Sequence, residues 1–245
     1  MPFDYTFEPL SEQLKLCVTP EHKFGTDAFL LSDFAAPRRK DTACDLGTGC
    51  GIIPALWFRK EDTSPRLAYA VELQQQAAEQ LEITMREGGF PNERLIPIHA
   101  DLRDLKGVIA QGSIDVVTCN PPYKITGTGI MSEQEADKIA RHETMCSIDD
   151  VCAAANYLLN FGGRLCICQR PERLADVITA MRRQKIEPKH LRFVQQRPDT
   201  APWLFLIEGR KGGKPFMQVD APLLIEGEGG FSQELLRIYQ KEANL

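Results

Sequence analysis

The segment Asn120-Pro-Pro-Tyr123 combines residue types that can hold a planar amine. It directly follows the apolar run 114–119, which predicts a buried strand. Two prolines remove backbone donors and fix the turn, so the amide oxygen of Asn120 and the carbonyl of Pro121 remain as acceptors. An amine that donates to both would have its lone pair aimed at an electrophile, with Tyr123 on the face of its ring. The segment therefore predicts a site where the amine of a flat base acts as a nucleophile.

A glycine-rich turn, Asp45-Leu-Gly-Thr-Gly-Cys-Gly51, lies between a predicted strand and a predicted helix. Gly47, Thr48 and Gly49 would let the backbone approach a ligand, and Asp45 could hold an amine or water there. Glu72 ends the next predicted strand, where a carboxylate can accept hydrogen bonds from both hydroxyls of a ribose. The pair predicts a nucleoside ligand. The spacing is GxGxG rather than GxGxxG, which disfavours a dinucleotide and hence a dehydrogenase.

Asp101 follows a third predicted strand, in His99-Ala-Asp-Leu102. From the end of that strand its carboxylate could accept a hydrogen bond from the amine of an adenine, although a helix N-cap is the alternative interpretation. We also expect Leu73 and Leu102, which follow the two acids, to contact the nucleoside. The segment 120–123 follows a fourth strand end, which favours its interpretation as a site over an ordinary Pro-rich turn.

The apolar runs and helical periodicities alternate along the chain, as in a parallel sheet with crossover helices. The fold class predicted is α/β: a doubly wound, seven-stranded, mostly parallel sheet whose last strand is antiparallel, because the connection at 198–202 is too short for a helix. We expect a single domain, with an N-terminal extension (1–40) that contains an extended or hairpin segment at 5–23, a core (41–212) and a C-terminal tail (213–245). The predicted strands are 42–46, 67–72, 95–99, 114–119, 163–168, 191–195 and 204–208; the predicted helices are 51–59, 75–87, 135–141, 148–160 and 171–184.

The net charge of −5 argues against a nucleic-acid partner until its distribution is considered. Residues 162–215 carry twelve Lys or Arg against five Asp or Glu, whereas residues 1–161 carry fifteen against twenty-four. This local excess favours an RNA-binding surface, although solvated faces of helices and strands are an equally good explanation. The candidate basic residues are Arg182, Arg183, Lys185, Lys189, Arg192 and Arg197.

Other features exclude several classes of protein. The N-terminus lacks the pattern of a signal peptide, and no apolar run is long enough to cross a bilayer, so we expect a cytoplasmic protein. None of the eight cysteines forms a CxxC pair, and Cys166 and Cys168 are expected to point to opposite faces of one strand. Reduced, buried thiols and no metal site are therefore expected.

These motifs resemble the class I, Rossmann-like methyltransferases, and their order resembles the amino-methylating group that shares (D/N/S)PP(Y/F/W). Over the whole chain the sequence resembles the bacterial tRNA1(Val) adenine-37 N6-methyltransferase family. The resemblance also rests on Lys23-Phe-Gly-Thr-Asp-Ala-Phe-Leu-Leu31, Ala140-Arg-His-Glu143 and Lys211-Gly-Gly-Lys-Pro215.

The resemblance implies that S-adenosyl-L-methionine is the cofactor and that N6 of an adenine in tRNA is the target, in a single-stranded anticodon loop. It implies that Lys23, Thr26 and Asp27 contact the cofactor from the N-terminal side, although Thr26 could also cap a helix. Asn120 is expected at both the cofactor and the adenine, and Arg141 at the RNA. We expect a monomer or a weak homodimer.

Three rival functions remain open. A protein methyltransferase could use the same turn on a glutamine amide, but an N-terminal substrate-binding bundle is then expected and about twenty residues precede Lys23. A methyltransferase for adenine in DNA, or in rRNA, is the second, and the DNA enzyme would be expected to carry a target-recognition domain. The third is a non-catalytic nucleoside- or RNA-binding module, which the combination of Asn120, Asp45 and Glu72 disfavours.

Overall fold

A computed structural model describes residues 3–20, 24–59, 64–121 and 146–240. Its main feature is a mixed sheet in which all seven predicted strands are present. The chain forms β1 Thr6–Pro9, β2 Lys15–Val18, β3 Thr42–Leu46, β4 Leu67–Glu72, β5 Leu95–His99, β6 Ile114–Cys119, β7 Leu159–Gln169, β8 Ile186–Gln195, β9 Leu204–Lys211, β10 Gln218–Val219, β11 Leu223–Leu224, β12 Glu226–Gly227 and β13 Gly230–Phe231. The helices are α1 Thr26–Ala35, α2 Ile52–Trp57, α3 Gln75–Glu87, α4 Ile148–Leu158, α5 Leu174–Arg183 and α6 Gln233–Tyr239.

The sheet order is β10-β8-β9-β7-β6-β3-β4-β5, with β11 also paired to β8. Strands β7, β6, β3, β4 and β5 are parallel, and β9 is antiparallel to both β7 and β8. The predicted antiparallel last strand is therefore confirmed. The predicted number of seven strands is wrong by two, because β10 and β11 add to the edge strand β8 to give nine. Each has only two residues, too few to show a hydropathy pattern.

The predicted ends of several elements differ from the observed ones. Strand β7 begins four residues before its predicted start, because the chain continues into the sheet through Gly162, whose φ is 82°. The register shift between Ile114 and Val116 accommodates this irregular start. Pro171–Arg173 forms a 3-10 turn before α5, and the predicted helix at 135–141 lies outside the described residues.

Helices cover both faces of the sheet, as predicted for a doubly wound fold. One apolar cluster includes Leu31 of α1, Ile53 of α2 and Leu81 of α3. The opposite cluster includes Leu158 of α4 and Met181 of α5. The sheet is therefore shielded from water on both faces, and its strand ends are the places where polar side chains meet.

The predicted N-terminal hairpin is present as β1 and β2. It is attached to α3 because the backbone N–H of Cys17 donates to the Thr84 hydroxyl, at 3.0 Å, and Lys15 N–H donates to the carbonyl of Gly88, at 3.1 Å. No helix in the described part of the chain is long and apolar enough to cross a membrane.

All eight cysteines are free, and seven are buried. The expectation for Cys166 and Cys168 is wrong. Residues two apart in a strand share a face, and both thiols lie in the cluster of α1, whereas Leu165 and Ile167 lie in the opposite one. Burial raises the pKa of Cys166 to about 12, which agrees with an inert thiol.

Candidate active site

Four neighbouring parallel strands, β6, β3, β4 and β5, end at the same edge of the sheet and bring the predicted polar residues together. A cleft of about 280 Å³ opens there. It is lined by Gly47, Gly49, Val71, Glu72, Leu73, Gln74, Ala100, Asp101, Leu102, Asn120 and Cys146. Parallel α/β sheets bind ligands at this edge, so the cleft is the candidate nucleoside site.

The glycine-rich turn forms one wall of the cleft. Gly47 and Gly49 have φ values of 65° and 58°, in the left-handed region that favours glycine. A Cβ added at either position would meet no other heavy atom within 4 Å, so both glycines have open space beside them. A side chain would strain the turn and enter that space, which a ligand would use.

Glu72 connects the glycine-rich turn to the end of β4. Its Oε2 accepts a hydrogen bond from the backbone N–H of Gly49, at 2.8 Å. Its Oε1 accepts from the N–H groups of Leu73 and Gln74, at 2.9 and 2.8 Å. A carboxylate has about four acceptor positions, so three bonds leave capacity for a ligand hydroxyl. Glu72 therefore shapes the cleft as well as lining it, a role that the sequence did not indicate.

Asp45 is almost completely buried at the end of β3. Burial raises the pKa of its carboxyl to about 7, although the hydrogen bond from the Thr118 hydroxyl to Oδ1, at 2.5 Å, opposes this. Oδ2 is buried and no donor lies in hydrogen-bond geometry to it within the described ranges, although the nearby Thr48 hydroxyl also opposes the rise in the pKa of Asp45. A buried carboxylate oxygen without a donor is costly, so this atom fits the amine of a ligand bound along the glycine-rich turn.

Asp101 lies at the cleft but is engaged by its neighbour Arg103. The guanidinium Nε of Arg103 lies 3.0 Å from both carboxylate oxygens, and Arg103 N–H donates to Oδ1 at 2.9 Å. The hydrogen bonds from the Arg103 side chain lower the pKa of Asp101. No helix begins at Asp101, so the structure does not show the N-cap that was the alternative. Arg103 is a neighbour of the site that sequence reasoning missed.

Asn120 follows β6 and is held from two sides. Its Nδ2 donates to Oδ2 of Asp27, at 2.9 Å, and the thiol of Cys168 donates to its Oδ1, at 3.1 Å. Asp27 is in the first turn of α1, and Cys168 is near the end of β7. The contact of Asp27 with the cofactor stays a prediction, whereas its contact with Asn120 is observed. Nothing in the sequence linked these two residues, which are 93 positions apart.

Pro121 lines a second cleft, of about 400 Å³. The second cleft is lined by Pro121, Cys146, Ser147, Ile148, Asp149, Gln169, Arg173, Asp176, Val177, Thr179 and Arg183. Cys146 lines both clefts, so they are adjacent. The second cleft is the candidate entry for the base. Pro122, Tyr123 and Arg141 lie outside the described residues, as does Lys23.

Thr26, the first residue of α1, lies in a different environment from the glycine-rich turn. Its hydroxyl forms a 2.7 Å hydrogen bond with the hydroxyl of Tyr239 in α6. It lines a separate cleft with Phe24 and Phe29. The cap of α1 is Gly25 rather than Thr26. The structure thus places Asp27, but not Thr26, beside the other predicted site residues.

The predicted basic residues do not form one surface. Arg182 pairs with Glu187, Arg183 with Asp149, Arg192 with Glu234, and Arg197 with Glu226 and Asp199. Lys189 donates to three backbone carbonyls of residues 214–216. Lys185 precedes β8 at the amino-terminal edge of the sheet, whereas Arg197 follows β8 at the edge with the clefts. Much of the local excess of positive charge is therefore neutralised within the fold.

Within the described residues, no group of three or more His, Cys, Asp or Glu could hold a metal ion. The open glycine-rich turn, the Oδ2 of Asp45 and the partly used carboxylate of Glu72 instead fit a nucleoside ligand that offers ribose hydroxyls and an amine.

The comparisons with known proteins agree with this geometry. The chain is 27% identical to a tRNA1(Val) (adenine(37)-N6)-methyltransferase of Parabacteroides distasonis, over 76% of each chain. It is 26% identical to a relative of the same name from Porphyromonas gingivalis, over 88% of this chain and 86% of the other. A solved structure of a predicted O-methyltransferase from Agrobacterium tumefaciens has the same fold, with a TM-score of 0.68 at 20% identity, covering 87% of this chain and 95% of that one.

The family model described as the methyltransferase small domain matches residues 23–181. This range includes α1, the glycine-rich turn, Asn120, all residues that line the first cleft and all but Arg183 of those that line the second. The match covers well over half of the chain, and the chain therefore belongs to the methyltransferase small domain family.

Proposed function

We propose that this protein uses S-adenosyl-L-methionine to methylate the exocyclic N6 amine of an adenine in tRNA, at position 37 of the anticodon loop. The observation that carries the proposal is that the consecutive residues Asn120 and Pro121 line two adjacent clefts, Asn120 the first and Pro121 the second. The relatives named above support the choice of tRNA and of adenine 37. Cytoplasmic tRNA is the substrate expected for such an activity.

The described residues fit the cofactor at the strand ends. When bound, it supplies an electrophilic methyl group on a sulfonium. Asp45 Oδ2 would accept from its amine, and Glu72 would accept from its ribose. Asp101 lines the cleft where the adenine of the cofactor is expected. Cofactor affinity would then depend on the carboxyl ends of β3, β4 and β5.

The target base would enter beside Pro121. Its amine would donate to Oδ1 of Asn120 and to the carbonyl of Pro121, which draws the nitrogen lone pair away from the ring. With the amine held in this orientation, transfer of the methyl group to its nitrogen would break the carbon–sulfur bond, leave the sulfur as a neutral thioether and release one amine proton to solvent. No general base is needed, because the proton becomes acidic as the bond forms. A single-stranded loop presents its base at the lowest cost, since a paired base must first be unstacked.

The proposal is tested by incubating the purified protein with methyl-labelled cofactor and either unmodified total tRNA or total protein extract. Label in N6-methyladenosine from tRNA is the expected result. Label in protein glutamine, with none in tRNA, would overturn the substrate. The Asn120→Ala variant provides the control, because it removes the side-chain acceptor for the base while Asp45 and Glu72, the proposed contacts of the cofactor, remain.

A further inference from the structure

We infer that Asp27 is a positioning residue for methyl transfer: it orients the amide of Asn120 and polarises it toward the target amine. The inference rests on the proposed function, because the amide acts on an amine only in that reaction. It differs from the cofactor contact expected for Asp27 from its sequence position.

The hydrogen bonds around Asn120 determine the orientation of its amide. The two ends of an Asn side chain have nearly the same shape, so the network around them decides which end points where. An ionised carboxylate only accepts, so Asp27 can face Nδ2 but not Oδ1. On the other side, the Cys168 thiol donates to Oδ1. Rotation of the amide by 180° would place two acceptors against each other. Asp27 therefore selects the state in which Oδ1 remains the acceptor for an amine.

The negative charge of Asp27 also affects the amide of Asn120. As the amine attacks the methyl group, its nitrogen gains positive charge, and its N–H groups become stronger donors. A negative carboxylate bonded to Nδ2 increases the electron density at Oδ1, since hydrogen bonds in series polarise one another. The bond from the amine to Oδ1 is thus strengthened more in the transition state than in the ground state. Only such differential stabilisation accelerates the reaction.

Gly25 leaves space beside the carboxylate of Asp27. A Cβ added to this residue would lie 2.6 Å from Oδ1 of Asp27, which is closer than real Cβ atoms approach oxygen. The φ of Gly25 is −110°, a value that any residue adopts, so glycine is not required by the backbone. What its missing side chain provides is space for the Asp27 carboxylate. A methyl group at position 25 would displace the carboxylate with little effect on the fold.

The alternative explanation is that Asp27 is an ordinary acid in the first turn of α1, stabilising that helix through its dipole. An acid of that kind does not need a partner on another element, yet Asp27 bonds to Asn120 at 2.9 Å. The matched control is Asp33, on the same helix, whose carboxylate pairs with the half-exposed Arg237 at 2.9 Å. An exposed pair of this kind contributes little to stability.

The experiment compares Asp27→Asn, Asp27→Ala, Gly25→Ala and the control Asp33→Asn. For each variant, kcat at saturating cofactor and the cofactor Kd by calorimetry are measured. We expect kcat to fall about 100-fold in Asp27→Ala, which loses position and charge, and about tenfold in Asp27→Asn, which can still accept. Gly25→Ala should fall between these values, Asp33→Asn should match the original protein, and the cofactor Kd should stay within about threefold throughout. A cofactor Kd that weakens in Asp27→Asn while kcat is unchanged would overturn the inference and make Asp27 a cofactor ligand.

A second readout does not depend on activity. The side-chain amide protons of Asn120, assigned with the Asn120→Ala variant, are observed by NMR in protein without substrate or cofactor. The proton bonded to Asp27 should move upfield and exchange faster with water in Asp27→Ala and in Gly25→Ala, but not in Asp33→Asn. Unchanged resonances would overturn the inference even if methyl transfer occurs. Changed resonances without any methyl transfer to tRNA would instead place the failure in the proposed function.

Discussion

The polar residues predicted to bind ligands lie mainly in two regions, which differ in how their side chains are held. At the carboxyl ends of β3, β4 and β6, the acids and the amide are held by short bonds to backbone or buried groups, as for Glu72 and Asp45. In residues 162–215, Arg182, Arg183 and Arg197 are exposed and pair with nearby acids. The polar groups at the strand ends have a fixed geometry, which catalysis requires. The charges of residues 162–215 lie on the surface and are mostly neutralised by nearby acids.

The largest expected effect lies at the amide between the clefts. Asn120→Ala removes the side-chain acceptor for the amine, and we expect kcat to fall by about 100- to 1,000-fold, as for loss of one preorganised polar group in an active site. The cofactor Kd, measured by calorimetry, should change little, because Asp45 and Glu72 remain. A cofactor Kd that weakens as much as kcat falls would contradict the assignment of Asn120 to the target base.

A smaller effect is expected at Glu72. Glu72→Ala leaves the N–H groups of Gly49, Leu73 and Gln74 without their acceptor, and the ribose loses its partner. Hydrogen bonds to a charged group contribute about 1.5–3 kcal/mol each, so we expect the cofactor Kd to weaken by about 100-fold. Arg103→Ala is the matched comparison, since it changes only the exposed partner of Asp101. If Glu72→Ala and Arg103→Ala weaken cofactor binding equally, the buried contacts of Glu72 are no more important for the cofactor than the exposed pair of Asp101 and Arg103.

The third prediction concerns pH. The folded protein favours the protonated form of Asp45, because burial raises its pKa from 3.8 to about 7. The contribution of this group to the free energy of unfolding therefore decreases as the pH rises from about 4 to about 7, by roughly 4 kcal/mol, and is constant above. The ionised form, which attracts a cationic amine, appears over the upper part of that range. Cofactor affinity should therefore increase as the pH passes about 7.

Asp45→Asn checks both parts of this prediction. Denaturant unfolding between pH 5 and pH 8.5 should show a weaker decrease of stability for the variant, and calorimetry should show no increase of cofactor affinity over the same range. A variant with the same pH dependence as the original protein would assign the titration to another group.

The smallest effect is expected in the basic stretch. Lys185 has a φ of 56°, which is unfavourable for any residue with a Cβ, and it lies at the edge of the sheet opposite the clefts. Lys185→Gly should raise the free energy of unfolding by about 1 kcal/mol while changing the tRNA Kd less than twofold. Arg197→Ala, at the edge with the clefts, is the comparison and should weaken tRNA binding more. A larger loss for Lys185→Gly would place the RNA on the opposite edge.

The seven long strands and their parallel core could be predicted from the sequence, because the strands end at turn residues and the helices between them show a clear hydrophobic periodicity. The sequence also predicted Asp45, Glu72, Asp101 and Asn120 as neighbours because parallel strands end at one edge. It could not predict the bond between Asp27 and Asn120, which depends on how α1 packs across the end of β6. It could not predict β10 and β11 either, since pairing with β8 rather than local pattern makes them strands.

Residues 162–215 show a feature that was predicted from the sequence but is not supported by the fold. A count of charges cannot reveal that Arg192 is bonded to Glu234, 42 positions away, or that Lys189 is bonded to backbone carbonyls. Pairing across elements therefore changes an apparent RNA surface into contacts that attach the C-terminal tail to β8.

In the proposed reaction, the turn at Asn120 acts on the amine of an unpaired adenine. The most direct measurement is a single-turnover assay with methyl-labelled cofactor on an anticodon stem-loop that has one loop adenine. Two further RNAs carry purine without the exocyclic amine at that position, or the same adenine paired in a duplex. Label is expected in N6-methyladenosine of the first RNA only. Label in the RNA that lacks the amine, or equal transfer to the paired adenine, would contradict the proposed reaction.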